Sequence, residues 1–274
     1  MRLSINELDT IEETLISGIR DYMKTCGFSR AHLGLSGGLD SALVAYLAAQ
    51  AAGAENIACF SMPSRFSSHG SKDDAAAMAA NLGCSYHTLQ IEEMYAAFLS
   101  ALKPVFGDRP FDVAEENLQS RIRGVLMMAF SNKFNSMLFS TGNKSEIAMG
   151  YCTLYGDTAG ALAPIGDLFK TEIFALCRRI NERAVESGSA AVIPQASIDK
   201  PPSAELRPNQ KDEDSLPPYG ILDEILELHL CGGLSPQAII STGRDAELVQ
   251  RIVKTVAASQ FKRRQMPPIL ELKL

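Results

Sequence analysis

HLGLSGGLDSALVAYLAAQAAG, residues 32–53, joins an apolar strand to a helix of small residues through a glycine-rich turn. A turn of this kind, backed by the positive end of a helix dipole, suits phosphate. Gly37 and Gly38 let the backbone turn tightly, while Ser36 and Ser41 add amide and hydroxyl donors. Asp40, however, places a carboxylate where an anion should sit, and the lysine of an ordinary GxxxxGK[ST] loop is missing. A divalent cation removes the conflict, because magnesium favours carboxylate together with phosphate oxygens. A second reading stays open on these residues alone: Ser36 caps the helix and Asp40 complements its dipole. The alanine spacing at 42, 45, 48 and 49 lets the helix pack closely on a sheet and carries no chemistry.

Working outward, four short apolar runs read as buried strands: AHLGLS, NIACFSMP, SYHTLQ and MLFSTG. Helical stretches at 39–52, at 71–82 and from Glu92 to Phe134 separate them, and an amphipathic helix from about Asn6 to Met23 precedes them. Its apolar face carries Ile11, Leu15, Ile19 and Tyr22. Strands alternating with helices imply right-handed crossovers and a parallel sheet covered on both faces. Beyond Pro164 the pattern is helical, at roughly 168–187, 220–231, 235–242 and 245–259. The fold expected is therefore α/β, a doubly wound parallel sheet of about five strands flanked by helices, with a helical C-terminal region. KPPSAELRPNQKDEDSLPPYG, residues 200–220, has five prolines and almost no apolar periodicity. A lid over a site suits it better than an interdomain linker, since the helices beyond it are too few to bury a core alone.

The bulk numbers exclude some classes. With 274 residues, 46% hydrophobic and 21% charged, the chain has ordinary globular composition. A net charge of −6 speaks against a general nucleic-acid binder. No apolar run approaches the ~20 residues of a membrane span, and the acidic start lacks a secretory pattern. Six scattered cysteines form no CxxC pair, so reduced thiols and a cytoplasmic location are expected.

In an open parallel sheet, ligands bind beyond the carboxyl ends of the strands. Three strand exits are chemically rich: SGGLDS, SMPSRFSSHGSKDD and STGNKSEIAMGY. SGGLDS resembles the pyrophosphate loop of the N-type ATP pyrophosphatases, which cleave ATP between its α and β phosphates. ENLQSRIRG, STGNKSEIAMGYCTLYGD, IGDLFKTE, the 200–219 segment and KRRQMPP then follow in one order. Together, from about residue 30 to 268, they resemble NAD synthetase, most of all the synthetase domain of the glutamine-dependent form without its N-terminal amidase domain. The resemblance implies a single synthetase domain, 1–274, of the adenine nucleotide alpha hydrolase-like fold. Its parts are an N-terminal helix (1–29), a nucleotide-binding core (30–170), a mobile lid (200–220), and C-terminal helices and tail (221–274).

The implied activity is that of a C–N bond-forming ligase, which converts deamido-NAD to NAD with ATP as co-substrate and Mg²⁺. A carboxylate is a poor acyl donor because its oxygen does not leave. Transfer of AMP makes a mixed anhydride that ammonia can attack, with release of AMP and pyrophosphate. The first step joins two anions, so oriented donors and cations carry it rather than a protein nucleophile. Among four histidines no Ser-His-Asp or Cys-His arrangement stands out.

By the same resemblance, Gly34, Leu35, Ser36, Gly37, Gly38, Leu39, Asp40 and Ser41 line the triphosphate, with Asp40 on magnesium. Glu146 supplies the second metal carboxylate, or else only complements its helix dipole. Thr141 contacts the nucleotide, and Met62 to Arg65 border adenine and ribose. Lys170 pairs with the phosphates unless it lies on a solvated helix face, and Ser203 meets ATP from the lid. Asn117 and Arg121, at i and i+4 on one helix face, serve deamido-NAD; Arg123 points about 160° away and has another task. Tyr151 and the segment to Leu154 flank the nicotinate end, and Lys262 adds a cation unless KRR is a solvated tail. Asp157 holds ammonium or takes its proton, or is an ordinary turn aspartate. Leu154 and Ala161 depart from the stand-alone ammonia-using members and fit the glutamine-type pattern. Free ammonia or a separate glutaminase subunit are both open as nitrogen source, and a homodimer is expected. The rivals are a tRNA-modifying ligase or thiolase, against which the acidic balance and lone cysteines speak, and a non-catalytic nucleotide-binding module. The latter has no use for Asp40, Glu146 and Lys170 together.

Overall fold

The structure is a computed structural model and describes residues 3–272. In chain order the elements are α1 (Ile5–Thr25), β1 (Ala31–Gly34), α2 (Leu39–Ala52), β2 (Ile57–Ser61), α3 (His69–Leu82), β3 (Ser85–Thr88), α4 (Glu92–Phe106), α5 (Val113–Phe134) and β4 (Met137–Phe139). Then come α6 (Lys144–Met149), α7 (Lys170–Glu186), α8 (Gln195–Asp199), α9 (Tyr219–Leu226), α10 (Pro236–Ser241), α11 (Ala246–Ala258) and α12 (Gln260–Arg263).

The four strands form one parallel sheet in the order β3-β2-β1-β4. Leu33 at its centre pairs with Cys59 on one side and Phe139 on the other. The chain builds from β1 through β2 to β3, then crosses back to lay β4 on the opposite side of β1. The loops leaving β1 and β4 therefore diverge to opposite faces and open a crevice between them.

Three expectations change here. The sheet has four strands rather than about five: beyond β4 the neighbouring backbone makes only an isolated parallel bridge, Phe139 to Leu162. The turn around Gly160 and Pro164 leaves no length for a strand. β3 is largely exposed, not buried, because it is the sheet edge. The helical region from Glu92 to Phe134 is two helices. Gly107 ends α4 at a φ of +63°, and Asp112 opens α5 with a capping box, its side chain accepting from Ala114 N at 2.7 Å while its own N–H donates to Glu115 at 2.9 Å.

The main core lies between the sheet, α1, α2 and α7. α2 is buried almost all round, as its alanines permit. Ile11, Leu15 and Ile19 of α1 face it fully buried, and Ser4 and Glu7 close the start of α1 in a capping box, worth about 1 kcal/mol. A second core gathers α9, α10 and α11 under α6. Among the described residues no helix is long and apolar enough to cross a membrane, and all six cysteines are free.

Candidate active site

The turn after β1 is shaped from within. Ser41 Oγ accepts from Ser36 N at 3.2 Å and donates to Gly38 O at 3.0 Å, and Ser36 Oγ accepts from Gly38 N at 3.1 Å. The serine hydroxyls thus hold the loop. Gly38 is the N-cap of α2, and no side chain caps that helix among the described residues, so the capping role open to Ser36 is not taken. Gly37 sits at φ +80°, its Cα packed on the backbone of Ser71 at the start of α3. Ser197 Oγ donates to its carbonyl at 3.1 Å.

Across the crevice, Asn143 caps α6: its Oδ1 accepts from Glu146 N at 2.9 Å, and its N–H reaches Glu146 Oε2 at 3.4 Å. The Asn143 amide then donates to Asp40 Oδ1 at 3.0 Å. Lys170, the first residue of α7, is ion-paired with Asp40 Oδ2 and lies 4.0 Å from Glu146 Oε1. At 3% exposure this lysine is not on a solvated helix face. Two carboxylates from opposite sides of the switch point thus converge on one ammonium. Burial raises the Glu146 pKa well above the carboxylate range, and the Asp40 charge adds to it. Burial alone would lower the Lys170 pKa, but Asp40 and Glu146 outweigh it and hold the pKa above the usual amine value.

The 200–218 segment covers this cluster. Asp212 accepts from Tyr219 Oη at 2.8 Å and Tyr151 Oη at 3.3 Å. Ser203 lines the cavity and donates to Gln210 O at 2.6 Å. Glu205 accepts from Ser71 Oγ at 2.8 Å and Ser68 N at 3.3 Å, at the N-terminus of α3.

Two adjoining cavities, of about 210 and 270 Å³, lie under that cover. The first is mostly apolar and holds Gly34, Leu35, Met62, Phe60 and Phe139. The second carries the charged cluster and holds Gly38, Leu39, Asp40, Ser41, Glu146, Lys170 and Tyr151. Ser36, Thr141 and Asp157 line both. Asp157 Oδ1 accepts from Thr153 N at 2.6 Å, and burial raises its pKa against that bond.

Other residues fall elsewhere. Arg65 lines neither cavity: its side chain is 58% exposed and its guanidinium is paired with Glu92. Asn117 accepts from Thr153 Oγ1 at 2.6 Å and Arg121 donates to Leu154 O at 3.2 Å, so both grip the 153–154 turn. Lys262 is not part of a solvated tail. It donates to Gly150 O and Cys152 O at 2.7 Å each, supporting the turn from below. His32 is a core residue, bonded to Ser136 and to Met127 O. Asn143, Asp212, Tyr219 and Glu205 went unnoticed in the sequence; only Asn143 had a signal, the N-x-x-E capping box in NKSE.

A family model described as NAD synthase matches residues 11–267. The chain belongs to the NAD synthase family. Glutamine-dependent NAD(+) synthetase of Synechocystis is 51% identical over 271 residues, covering 98% of this chain and 48% of that one. The chain therefore spans about half the length of the curated relatives it matches. Among solved structures, the glutamine-dependent NAD+ synthetase of Acinetobacter baumannii in complex with ADP is 38% identical, with a TM-score of 0.69, over 97% of this chain and 47% of that one. The NH3-dependent NAD synthetase of Campylobacter jejuni, in complex with nitrate, is 29% identical with a TM-score of 0.75, over 96% and 99%. NAD synthases thus share both the sequence and the shape of this chain, and the crevice just described lies within the matched residues.

Proposed function

We propose that this chain converts deamido-NAD, ATP and ammonia to NAD, AMP and pyrophosphate. The observation that supports it most is the convergence of Asp40 and Glu146 on Lys170 at the mouth of a glycine-rich phosphate loop. Adenosine lies in the apolar cavity against Met62 and Leu35, and the phosphates lie along Ser36–Ser41 towards Lys170. The Lys170 ammonium stabilises the departing pyrophosphate, as does the open N-terminus of α2. Ser203 and Asp212 close over the nucleotide and keep water from the anhydride.

Magnesium fits the donor set. Among the described residues no group of three or more His, Cys, Asp or Glu could hold a metal by itself, so Asp40 and Glu146 would hold a cation that drew its remaining ligands from phosphate and water, as Mg²⁺ prefers. When bound it neutralises phosphate charge and relieves the repulsion between the two carboxylates.

The nicotinate end of deamido-NAD lies beside Tyr151 and the 153–157 turn that Asn117 and Arg121 position. Asp157, its pKa raised by burial, accepts the proton that ammonium gives up before attack on the anhydride. An open depression of about 610 Å³ beside α5, with Val125, Met128 and Tyr155 on its wall, receives the rest of the dinucleotide and is covered by a second copy in a cytoplasmic homodimer. The Campylobacter enzyme, matched over nearly its whole length, supports free ammonia as the nitrogen source. The 51% identity to a glutamine-dependent relative supports a second reading, in which a separate glutaminase subunit delivers the ammonia.

The test is an assay of purified chain with ATP, magnesium and deamido-NAD, given ammonium or glutamine. NAD formed with ammonium alone is expected. No NAD and no AMP from a folded chain with either donor refutes the proposal, as does near-normal turnover by Asp40→Asn.

A further inference from the structure

We infer that Arg123 holds the α-phosphate of ATP and stabilises the charge that gathers there during adenylate transfer. The inference rests on the reading of the chain as an adenylating synthetase and adds a residue to it. With adenosine in the apolar cavity and the β and γ phosphates beside Asp40 and Lys170, the α-phosphate must lie at the seam between the two. The polar side chains that line both cavities are Ser36, Ser120, Arg123, Thr141, Asp157 and Glu205. Arg123 is the one cation among them.

It also lacks an ion pair, as does Lys72, which lines the first cavity only. Lys170 is paired with Asp40, and Lys200, in the same cavity, with Asp74 at 3.0 Å. Arg123 makes a single hydrogen bond among the described residues, from Nε to Met62 O at 2.9 Å, and no ion pair. Burial pushes its pKa down to about 10, with Glu205 and Asp157 opposing from beyond ion-pair reach. The guanidinium remains charged at neutral pH, so a half-buried cation faces the cavity with both Nη groups free of protein partners among the described residues. Both Nη groups are thus open to an anionic ligand. A planar fork fixed by its third nitrogen suits two oxygens of one phosphoryl group. The helix explains the placement: Arg121 grips the 153–154 turn, and two residues later α5 has carried the next arginine round to the cleft.

In the step concerned, a carboxylate oxygen of deamido-NAD attacks the α-phosphorus. The new oxygen–phosphorus bond forms as the bond to the bridging oxygen breaks, and pyrophosphate leaves with that electron pair. No proton moves. Charge grows on the non-bridging oxygens, where Arg123 stands ready.

The experiment is deamido-NAD-dependent exchange of pyrophosphate into ATP, measured for wild type, Arg123→Ala and Arg123→Lys with the Rp and Sp α-phosphorothioate analogues beside ATP. Arg123→Ala is expected to slow exchange about 10²-fold, with part recovered in Arg123→Lys. Each variant should shift the Rp/Sp rate ratio at least threefold. Arg123→Lys, which keeps charge and most of the stem, covers the case in which the alanine variant does not fold. Exchange within threefold of wild type overturns the inference. So does a ratio shifted less than threefold, which would mean that Arg123 merely props Met62. No exchange by folded wild-type chain instead refutes the proposed function.

Discussion

One methyl group on Gly37 probes the phosphate loop and the helix behind it together. A Cβ there would lie 2.1 Å from Ser71 O, 2.8 Å from its carbonyl carbon and 2.9 Å from its Cα, with φ at +80°. These are backbone atoms at the first turn of α3, so relief needs a shift of about 1 Å between loop and helix. The left-handed backbone costs a side chain about 1–2 kcal/mol, and forcing packed elements apart costs about 1–3 kcal/mol more. Gly27 supplies the control: it has a φ of +75° with nothing within 4 Å of a built Cβ. Gly27→Ala should therefore lose only the conformational part. At roughly 2–4 °C per kcal/mol for a chain of this size, Gly37→Ala should melt about 2–12 °C below Gly27→Ala by differential scanning calorimetry. A misplacement of this size in a phosphate loop should also slow pyrophosphate exchange about 10²-fold. If Gly37→Ala melts within 1 °C of Gly27→Ala and keeps half its exchange rate, the argument that α3 braces the loop is wrong.

Other outcomes follow from the charges. Glu146→Gln should stabilise the protein at neutral pH while removing activity. The folded pKa of Glu146 lies well above its ordinary 4.5, so folding favours the protonated acid and stability falls as pH rises through that elevated value. The melting-temperature gain of Glu146→Gln should be largest at neutral to alkaline pH and vanish below about pH 4.5; a gain independent of pH would contradict this. Lys170→Met leaves Asp40 and Glu146 facing each other and should cost about 3–5 kcal/mol by urea titration, with Lys170→Met/Asp40→Asn recovering part of that stability and no activity. Glu205→Gln weakens the contacts to Ser68 and Ser71 by about 1 kcal/mol, so trypsin should cut after Lys211 about fivefold faster, an effect ATP should suppress; Lys200 and Arg207 precede prolines and resist it.

The phosphate loop and the sheet were legible because their signals are local: Gly37 needs its turn, and the α2 alanines need close approach. Asp40 and Glu146 could be brought together on paper because parallel strands put their exits on one edge. The tertiary partners were not legible. Tyr219 and Asp212 come from a segment with no periodicity, and only packing places them on Tyr151. Arg65 follows β2 as expected, yet Glu92 draws it out of the cleft. Lys262 carries the charge expected of a ligand, but two backbone carbonyls of the 150–152 turn use it. The exposure of β3 depends on strand order, which SYHTLQ alone does not state.

The strand order also bears on the life of the chain before it is complete. Asp40 waits 103 residues for Asn143 and 130 for Lys170. A growing polypeptide released only as far as β4 presents the glycine turn with a bare carboxylate, which repels a triphosphate. On the function proposed above, adenylate transfer then has to wait until α7 has been made, because Lys170 is its first residue.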